Sequence, residues 1–86
     1  MNEPTIDVGD VALHAPSGET WLVGAVVDDR LYWCGWPLGG NAALSDCALK
    51  RKATPEQRDR LLRELADGDG GERPRVLARM RLEAAR

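Results

Sequence analysis

The stretch TWLVGAVV, residues 20–27, decides the fold because it is apolar on both sides of an extended chain. Its tryptophan and β-branched residues favour a strand, and successive side chains of a strand point to opposite faces. One face would carry Trp21, Val23, Ala25 and Val27, and the other would carry Leu22 and Val26 beside Gly24. Such a strand needs cover on two sides, which predicts a barrel interior on one side and a helical layer on the other.

The segments around this strand predict antiparallel partners. VALH, residues 11–14, has the period-two alternation of a half-buried strand, and APSG after it places Pro16 and Gly18 where a type I turn favours them. After the polar connection DDR, LYWCGW returns as a third strand, which Pro37 ends because proline has no N–H for the sheet. A loop is predicted at 39–41, then a short strand or single turn in LSDC and a last short strand in CALKRK.

From Thr54 the pattern becomes helical. TPEQ, residues 54–57, offers an N-cap threonine, a proline at the first helical position and a glutamine three residues after the cap, which together predict a capping box. The apolar stripe of this first helix comprises Leu61, Leu62, Leu65 and Ala66. We expect the three leucines to cover Leu22 and Val26. The i to i+4 spacings predict ion pairs of Glu56 with Arg60 and of Asp59 with Arg63.

A second helix is predicted from Pro74 towards the C-terminus, after DGDGG ends the first. Its narrow apolar stripe comprises Val76, Leu77, Met80 and Ala84. Strands followed by helices indicate an α+β fold. We therefore predict one domain, 1–86, in which a small, strongly bent antiparallel Src-homology-3-like β-barrel of four or five short strands (8–52) precedes two C-terminal α-helices, 54–66 and 73–85.

Length and composition limit the class of protein to which the chain can belong. The chain has 86 residues, of which 43% are hydrophobic and 30% charged, which favours one small folded domain over a disordered chain. Neither a signal peptide nor an apolar run long enough to span a membrane is found, so we expect a cytoplasmic protein with no membrane partner.

Charge is divided unevenly between the halves. Residues 1–49 carry seven acids and the single base Arg30, whereas residues 50–86 carry eleven bases and seven acids. Two interpretations stay open: the halves attract each other within the fold, or their fields steer a partner.

Cys34 and Cys47 are expected to be reduced, buried thiols, since two cysteines in a cytoplasmic chain define no disulfide framework. A disulfide between them stays open if their strands are neighbours. WCGWP differs from the thioredoxin motif W-C-G-P-C at its proline and second cysteine, which argues against thiol redox chemistry. The metal-ligand candidates are scattered singly, whereas structural zinc sites pair their ligands two to four residues apart. These candidates are Cys34, Cys47, His14 and Asp46. No metal site is predicted.

The sequence also lacks the motifs of a serine hydrolase and of a phosphate-binding loop. His14 could pair with Ser17 or Ser45, but neither serine lies in a G-x-S-x-G elbow. The GG at 39–40 and GDGG at 68–71 lack the strand, lysine and helix of a phosphate loop. We therefore expect a non-enzyme without a cofactor.

Binding is the function that the residues favour. An acidic face with exposed aromatic residues is suited to a basic patch on another protein. The candidate site comprises Tyr32, Trp33, Trp36, Asp28, Asp29 and Asp46. The alternative is nucleic acid or a small nucleotide, held by the same aromatics with Lys50, Arg51 and Lys52 at phosphates. A homo-oligomer also stays open.

The segment VGDVALHAPSGETWLVGAVVDDRLYWCGWPLGG with the following LSDC, within residues 8–49, resembles a group of small proteins encoded by phages and prophages of proteobacteria. The resemblance implies cytoplasmic expression and an accessory role in infection. Host modulation or counter-defence, by occluding a host protein or sequestering a nucleotide, is the expectation that follows. The group carries no assigned activity, so no functional residue is transferred from it.

Overall fold

The computed structural model describes residues 5–34, 40–68 and 70–84. Its five strands are β1 (Val11–His14), β2 (Glu19–Val27), β3 (Arg30–Trp33), β4 (Asn41–Ala43) and β5 (Cys47–Arg51). A 3-10 turn, Leu44–Asp46, joins β4 to β5, and the helices α1 (Pro55–Ala66) and α2 (Glu72–Ala84) follow. The predicted α+β class is confirmed.

The strands form an antiparallel sheet in the order β4-β3-β2-β1-β5. Within the described residues no pairing joins β4 to β5, so the sheet is open and the predicted closed barrel is wrong. The 3-10 turn crosses that gap instead: the Leu44 amide donates to the Asp29 carbonyl at 2.7 Å, and the Ala15 amide donates to the Asp46 carbonyl at 2.9 Å. The loop predicted at 39–41 is also wrong in part, because Asn41 begins β4 opposite Tyr32.

Strand β2 departs from strict alternation at Gly24. Val23 pairs with Trp33 but Ala25 pairs with Tyr32, so Gly24 is the extra residue of a bulge. The bulge moves Val26 to the side of Val23, which corrects the predicted division of residues 20–27 between two faces. A Cβ on Gly24 would lie 2.8 Å from the Cys34 Cβ, so glycine is required for this approach.

Two apolar clusters result. The sheet cluster comprises buried Ala12, Val23 and Leu31, with Ile6, Trp21, Val26, Leu44 and Cys47 packed against them. The helix cluster comprises buried Val8, Leu62, Leu65 and Ala78, with Cys34, Leu61, Ala66 and Leu82 packed against them. Leu22 stays 43% exposed, so the expectation that the leucine stripe covers it is wrong. Val8 of the N-terminal segment is what that stripe covers.

Helix α1 begins with the predicted capping box. The Thr54 side chain accepts from the Gln57 amide at 3.1 Å, and the Thr54 amide donates to the Gln57 side chain at 3.0 Å. The Asp59–Arg63 pair is present at 3.0 Å. The Glu56–Arg60 pair is not formed among the described residues.

Helix α2 buries Pro74 and Ala78, whereas Val76 and Met80 are 43% and 59% exposed. The predicted stripe through Val76 and Met80 is therefore wrong. Ala78 lies opposite Gly24 and Ala25 across a small pocket, and its short side chain allows the helix to approach β2. No helix in the described part of the chain is long and apolar enough to span a bilayer.

A buried carboxylate joins the two layers. Asp10 is 0% exposed, and Oδ1 accepts from the Ala53 amide at 2.8 Å and from Arg58 Nη2 at 3.0 Å. Oδ2 accepts from the Asp7 amide at 2.9 Å and from Lys52 Nζ at 3.1 Å. Burial alone would raise the pKa of Asp10, but the hydrogen bonds from Ala53, Asp7 and Lys52 outweigh it and lower the pKa.

Asp7 extends this network to α2. Its carboxylate accepts two hydrogen bonds from the Arg81 guanidinium, at 2.6 and 2.9 Å, and Arg58 Nε lies 3.6 Å from Oδ2. The Arg81 hydrogen bonds are the largest cause that lowers the pKa of Asp7 to about 2, against the opposing effect of burial. Two acids of the first half thus pair with bases of the second half, which supports the interpretation that the halves attract each other within the fold.

Replacing Asp10 with asparagine tests this network. Asp10→Asn removes the charge opposite Lys52 and Arg58 and turns an NH₂ group towards donors, so the free energy of unfolding should fall by about 3–5 kcal/mol in a urea titration. The control Asp59→Asn breaks an exposed pair and should change stability by less than about 1 kcal/mol. A similar small loss in both variants would contradict the assigned role of Asp10.

The pKa of Asp7 predicts an acid-sensitive contribution to stability. Because the folded-state pKa of about 2 lies below the ordinary value of 3.8, the unfolded chain takes up the proton first as pH falls. The contribution of Asp7 is complete above about pH 4 and is lost between 3.8 and about 2. The stability difference between wild type and Asp7→Asn, measured by urea unfolding across this range, should shrink towards low pH. A difference that does not vary with pH would contradict the ion pair.

Candidate functional site

Three aromatic rings stack in a row on the face of the sheet that carries the sheet cluster. The ring centroids of Trp21 and Trp33 lie 4.0 Å apart with an interplanar angle of 36°. Those of His14 and Trp21 lie 4.4 Å apart at 22°. The strand register creates the row, because Trp21 pairs with buried Ala12 on β1. We call His14, Trp21 and Trp33 the aromatic stack.

Gly40 closes the far end of the aromatic stack. A Cβ at this position would overlap the six-membered ring of Trp33, and the Trp33 amide donates to the Gly40 carbonyl at 3.3 Å. Trp33 is thus covered by Gly40 and Trp21, and Trp21 is covered by Trp33 and His14. Both tryptophans are half-buried.

Hydrogen bonds fix the other end. The Glu19 amide donates to Ser17 Oγ at 3.2 Å, and His14 Nδ1 lies 2.7 Å from the same oxygen. Ser17 Oγ also donates to the His14 carbonyl at 3.5 Å. Trp21 Nε1 donates to Glu19 Oε2 at 3.4 Å. The His14–Ser17 pairing considered in the sequence exists, and it stabilises the turn between β1 and β2.

The predicted acids are exposed in two different turns. Asp28 and Asp29 form the turn between β2 and β3, in which Asp28 has a φ of 54°. Asp46 ends the 3-10 turn and immediately precedes Cys47, which pairs with His14. Asp46 therefore lies near the His14 end of the aromatic stack, whereas Asp28 and Asp29 lie at the opposite end of β3 from Trp33.

Two predicted aromatic residues are not part of this arrangement. Tyr32 pairs with Ala25 on the other face of the sheet, where the Arg73 guanidinium lies 5.8 Å from its ring centroid. Trp36 lies outside the residues that the structure describes, as does Pro37.

The predicted basic cluster lies at the end of the edge strand β5. Leu49 pairs with Ala12 and Arg51 with Val11, so Lys50 is the extra residue of a bulge and Arg51 lies on the face opposite the stack. Lys52 is held by Asp10 and by the Thr5 carbonyl, at 3.1 and 2.6 Å. The structure thus brings Lys50 and Arg51 to a groove that Trp21 also lines, whereas it holds Lys52 at Asp10.

Sequence reasoning missed His14, Trp21 and Gly40 as parts of the site. One signal for Trp21 was present, because the APSG turn sets the pairing of His14 with Glu19 and therefore the face of Trp21. Nothing local indicates that Gly40 lies on Trp33, seven residues away in the chain.

Both cysteines are free thiols in separate clusters. A Cβ on Gly24 or on Gly70 would lie 2.8 Å from the Cys34 Cβ, which shows how closely Cys34 is enclosed. Burial raises the pKa of both thiols, and nearby Glu64 and Asp46 add to this for Cys34 and Cys47 respectively. Among the described side chains, no group of three or more His, Cys, Asp or Glu could hold a metal ion.

Comparison of the chain with protein-family models, curated proteins and solved structures found no match. The function is therefore inferred from the geometry of the chain.

Gly40→Ala tests the closed stack. The added methyl group must displace the Trp33 ring, so the exciton signal of the Trp21–Trp33 pair in circular dichroism should weaken, with a stability loss of roughly 1–3 kcal/mol. The control is Gly68→Ala, because Gly68 has a φ of 103° but its added Cβ would meet only Arg75 Cδ, at 3.6 Å. That variant should lose stability and keep the exciton signal. An unchanged exciton signal in Gly40→Ala would refute the contact.

Proposed function

We propose that the protein is a non-enzymatic protein-binding module. Its binding face comprises the exposed parts of the aromatic stack together with Asp28, Asp29 and Asp46, and its partner presents a basic surface. The observation that carries this proposal is the mutual covering of the ring faces.

The accessibility of the ring faces distinguishes a nucleic-acid ligand from a protein partner. A nucleic-acid base binds an aromatic side chain by stacking on its face, which needs a free face. Here Gly40 and Trp21 cover Trp33, and Trp33 and His14 cover Trp21. Both tryptophans keep part of their surface exposed, and tryptophan is a common anchor residue of protein interfaces.

Charge supports the same conclusion. Residues 11–49 carry the acids Glu19, Asp28, Asp29 and Asp46 against the single base Arg30. Arg30 is itself engaged, since Nη2 donates to Asn41 Oδ1 at 2.5 Å. The face therefore presents an excess of carboxylates, which speeds association with a basic partner and opposes association with phosphates.

Two finer expectations belong to this proposal. A Src-homology-3-like relationship is supported by the strand order and by β2, which pairs with β1 through residues 19–22 and with β3 through residues 23–27. The resemblance to phage and prophage proteins supports a host protein in the cytoplasm as the partner, occluded during infection as a form of counter-defence.

Nucleic acid or a small nucleotide is the weaker candidate. Exposed Lys50 and Arg51 favour it, but Arg51 lies on the face opposite the aromatic stack, and Lys52 is engaged by Asp10. A homo-oligomer would need one acidic face to meet a basic face of the next copy.

Charge reversal tests the proposed face. A partner captured from the source cell with the full chain should bind Asp29→Lys/Asp46→Lys about tenfold more slowly than wild type at low salt, because the steering field is reversed. The matched control is Glu56→Lys/Glu83→Lys, which reverses two exposed acids on the helices and should bind like wild type.

Equal association rates for wild type and Asp29→Lys/Asp46→Lys would refute the acidic face. Single-stranded DNA provides the second arm. If it binds wild type with a steep salt dependence, and binds Asp29→Lys/Asp46→Lys more tightly, the nucleic-acid alternative replaces the proposal.

A further inference from the structure

Three cationic side chains in the described part of the chain differ from the others because they have no interaction partner within the molecule. Most lysines and arginines there have a partner within the molecule: a carboxylate for Lys52, Arg58, Arg63, Arg75 and Arg81, an amide or carbonyl oxygen for Arg30 and Arg79, and the Tyr32 ring for Arg73. Among the described residues, only Lys50, Arg51 and Arg60 have no such partner. Three unpartnered cations scattered over the surface would not indicate a binding site.

They are not scattered, because all three line one continuous groove. Lys50 and Arg51 border a wide, open groove of about 660 Å³, which Val11 and Leu22 also line. Arg60 borders its extension of about 220 Å³ between the sheet and α1. Leu22 and Arg51 line both parts, so the groove runs from β5 across β2 to the helix.

The floor between the cations is aliphatic. Leu22 is 43% exposed there, with Val11 on the sheet side and half-buried Leu61 on the helix side. Glu64 is the acid that lines the groove. An anionic ligand with aliphatic side chains would satisfy both the cations and the floor.

We propose that this groove is a second docking surface, which binds an extended, acidic and aliphatic segment of a partner protein. Alternate side chains of an extended segment point to opposite sides, so aliphatic residues reach the floor while acidic residues meet Lys50, Arg51 and Arg60. Trp21 is the aromatic residue of the groove lining, and its ring contacts those of His14 and Trp33, so the groove offers no free ring face for a base. A peptide therefore fits the groove better than a polynucleotide.

The segment lies across the sheet face and does not extend the sheet. Strand β5 is an edge strand, but it carries a bulge at Lys50 and a second charge at Arg51. Bulges and charged side chains on an edge oppose the addition of another strand. Side-chain contacts are thus the source of affinity in the groove.

The test uses a fluorescein-labelled peptide in which glutamate alternates with leucine or valine, and it measures binding to the full chain by anisotropy. Lys50→Glu/Arg51→Glu should weaken binding about tenfold or more, and added salt should weaken binding to wild type. Leu22→Ser should also weaken it without any change of charge. The matched control is Arg63→Glu/Arg79→Glu, which makes the same charge change at two exposed helix side chains outside the groove lining.

Circular dichroism and thermal melting confirm that each variant is folded. Equal binding by wild type and Lys50→Glu/Arg51→Glu would overturn the proposal, as would equal binding of a peptide with lysine in place of glutamate. Single-stranded DNA that displaces the peptide and binds more tightly would assign the groove to nucleic acid instead. A dimer that Lys50→Glu/Arg51→Glu dissolves would show that a second copy occupies the groove. The proposal is independent of the acidic face, because Asp29→Lys/Asp46→Lys should still bind the peptide.

Discussion

The rest of the structure depends on one buried carboxylate, Asp10. A charge with no exposure to water is tolerated only when hydrogen bonds and opposite charges surround it, and Asp10 has four donors from three parts of the chain. Asp7 contributes one of them from the N-terminal segment, Lys52 and Ala53 two from the end of β5, and Arg58 one from α1. The site thus sets where the helices begin relative to the sheet.

The N-terminal segment, residues 5–10, connects the Asp10 site to both apolar clusters. Ile6 packs on the sheet cluster and Val8 lies in the helix cluster, so residues 5–10 are a wedge between the two layers. Gly9 allows this segment to pack closely against Ala53. Its φ is 91°, and a Cβ there would lie 3.2 Å from the Ala53 Cβ. The wedge explains why the leucines of α1 do not reach Leu22, and therefore why an aliphatic groove stays open beside α1.

Local patterns predicted local structure, and contacts between distant residues limited the rest. The α+β class, the capping box at Thr54 and the Asp59–Arg63 pair depend on residues within four positions of each other. The bulge at Gly24 depends on Cys34, and the buried face of α2 depends on how closely Ala78 approaches β2. The positions of the acids of the candidate site could be predicted from the turn residues around them. The covering of the tryptophan rings could not, because it depends on Gly40 and on strand register.

The long separation of the Asp7 and Asp10 contacts has a consequence for the order of folding. Asp10 meets the Ala53 amide 43 positions along the chain, and Asp7 meets Arg81 74 positions along it. Contacts that close such long loops are made late, after hairpins and helical turns, because the loss of chain entropy precedes the gain in contact energy. A nascent chain can form the β2–β3 hairpin early on the ribosome, but Asp7 has to wait for α2 to be synthesised. Of the ion pairs that join the layers, the Asp7–Arg81 pair thus forms only after the Asp10 pairs have become possible.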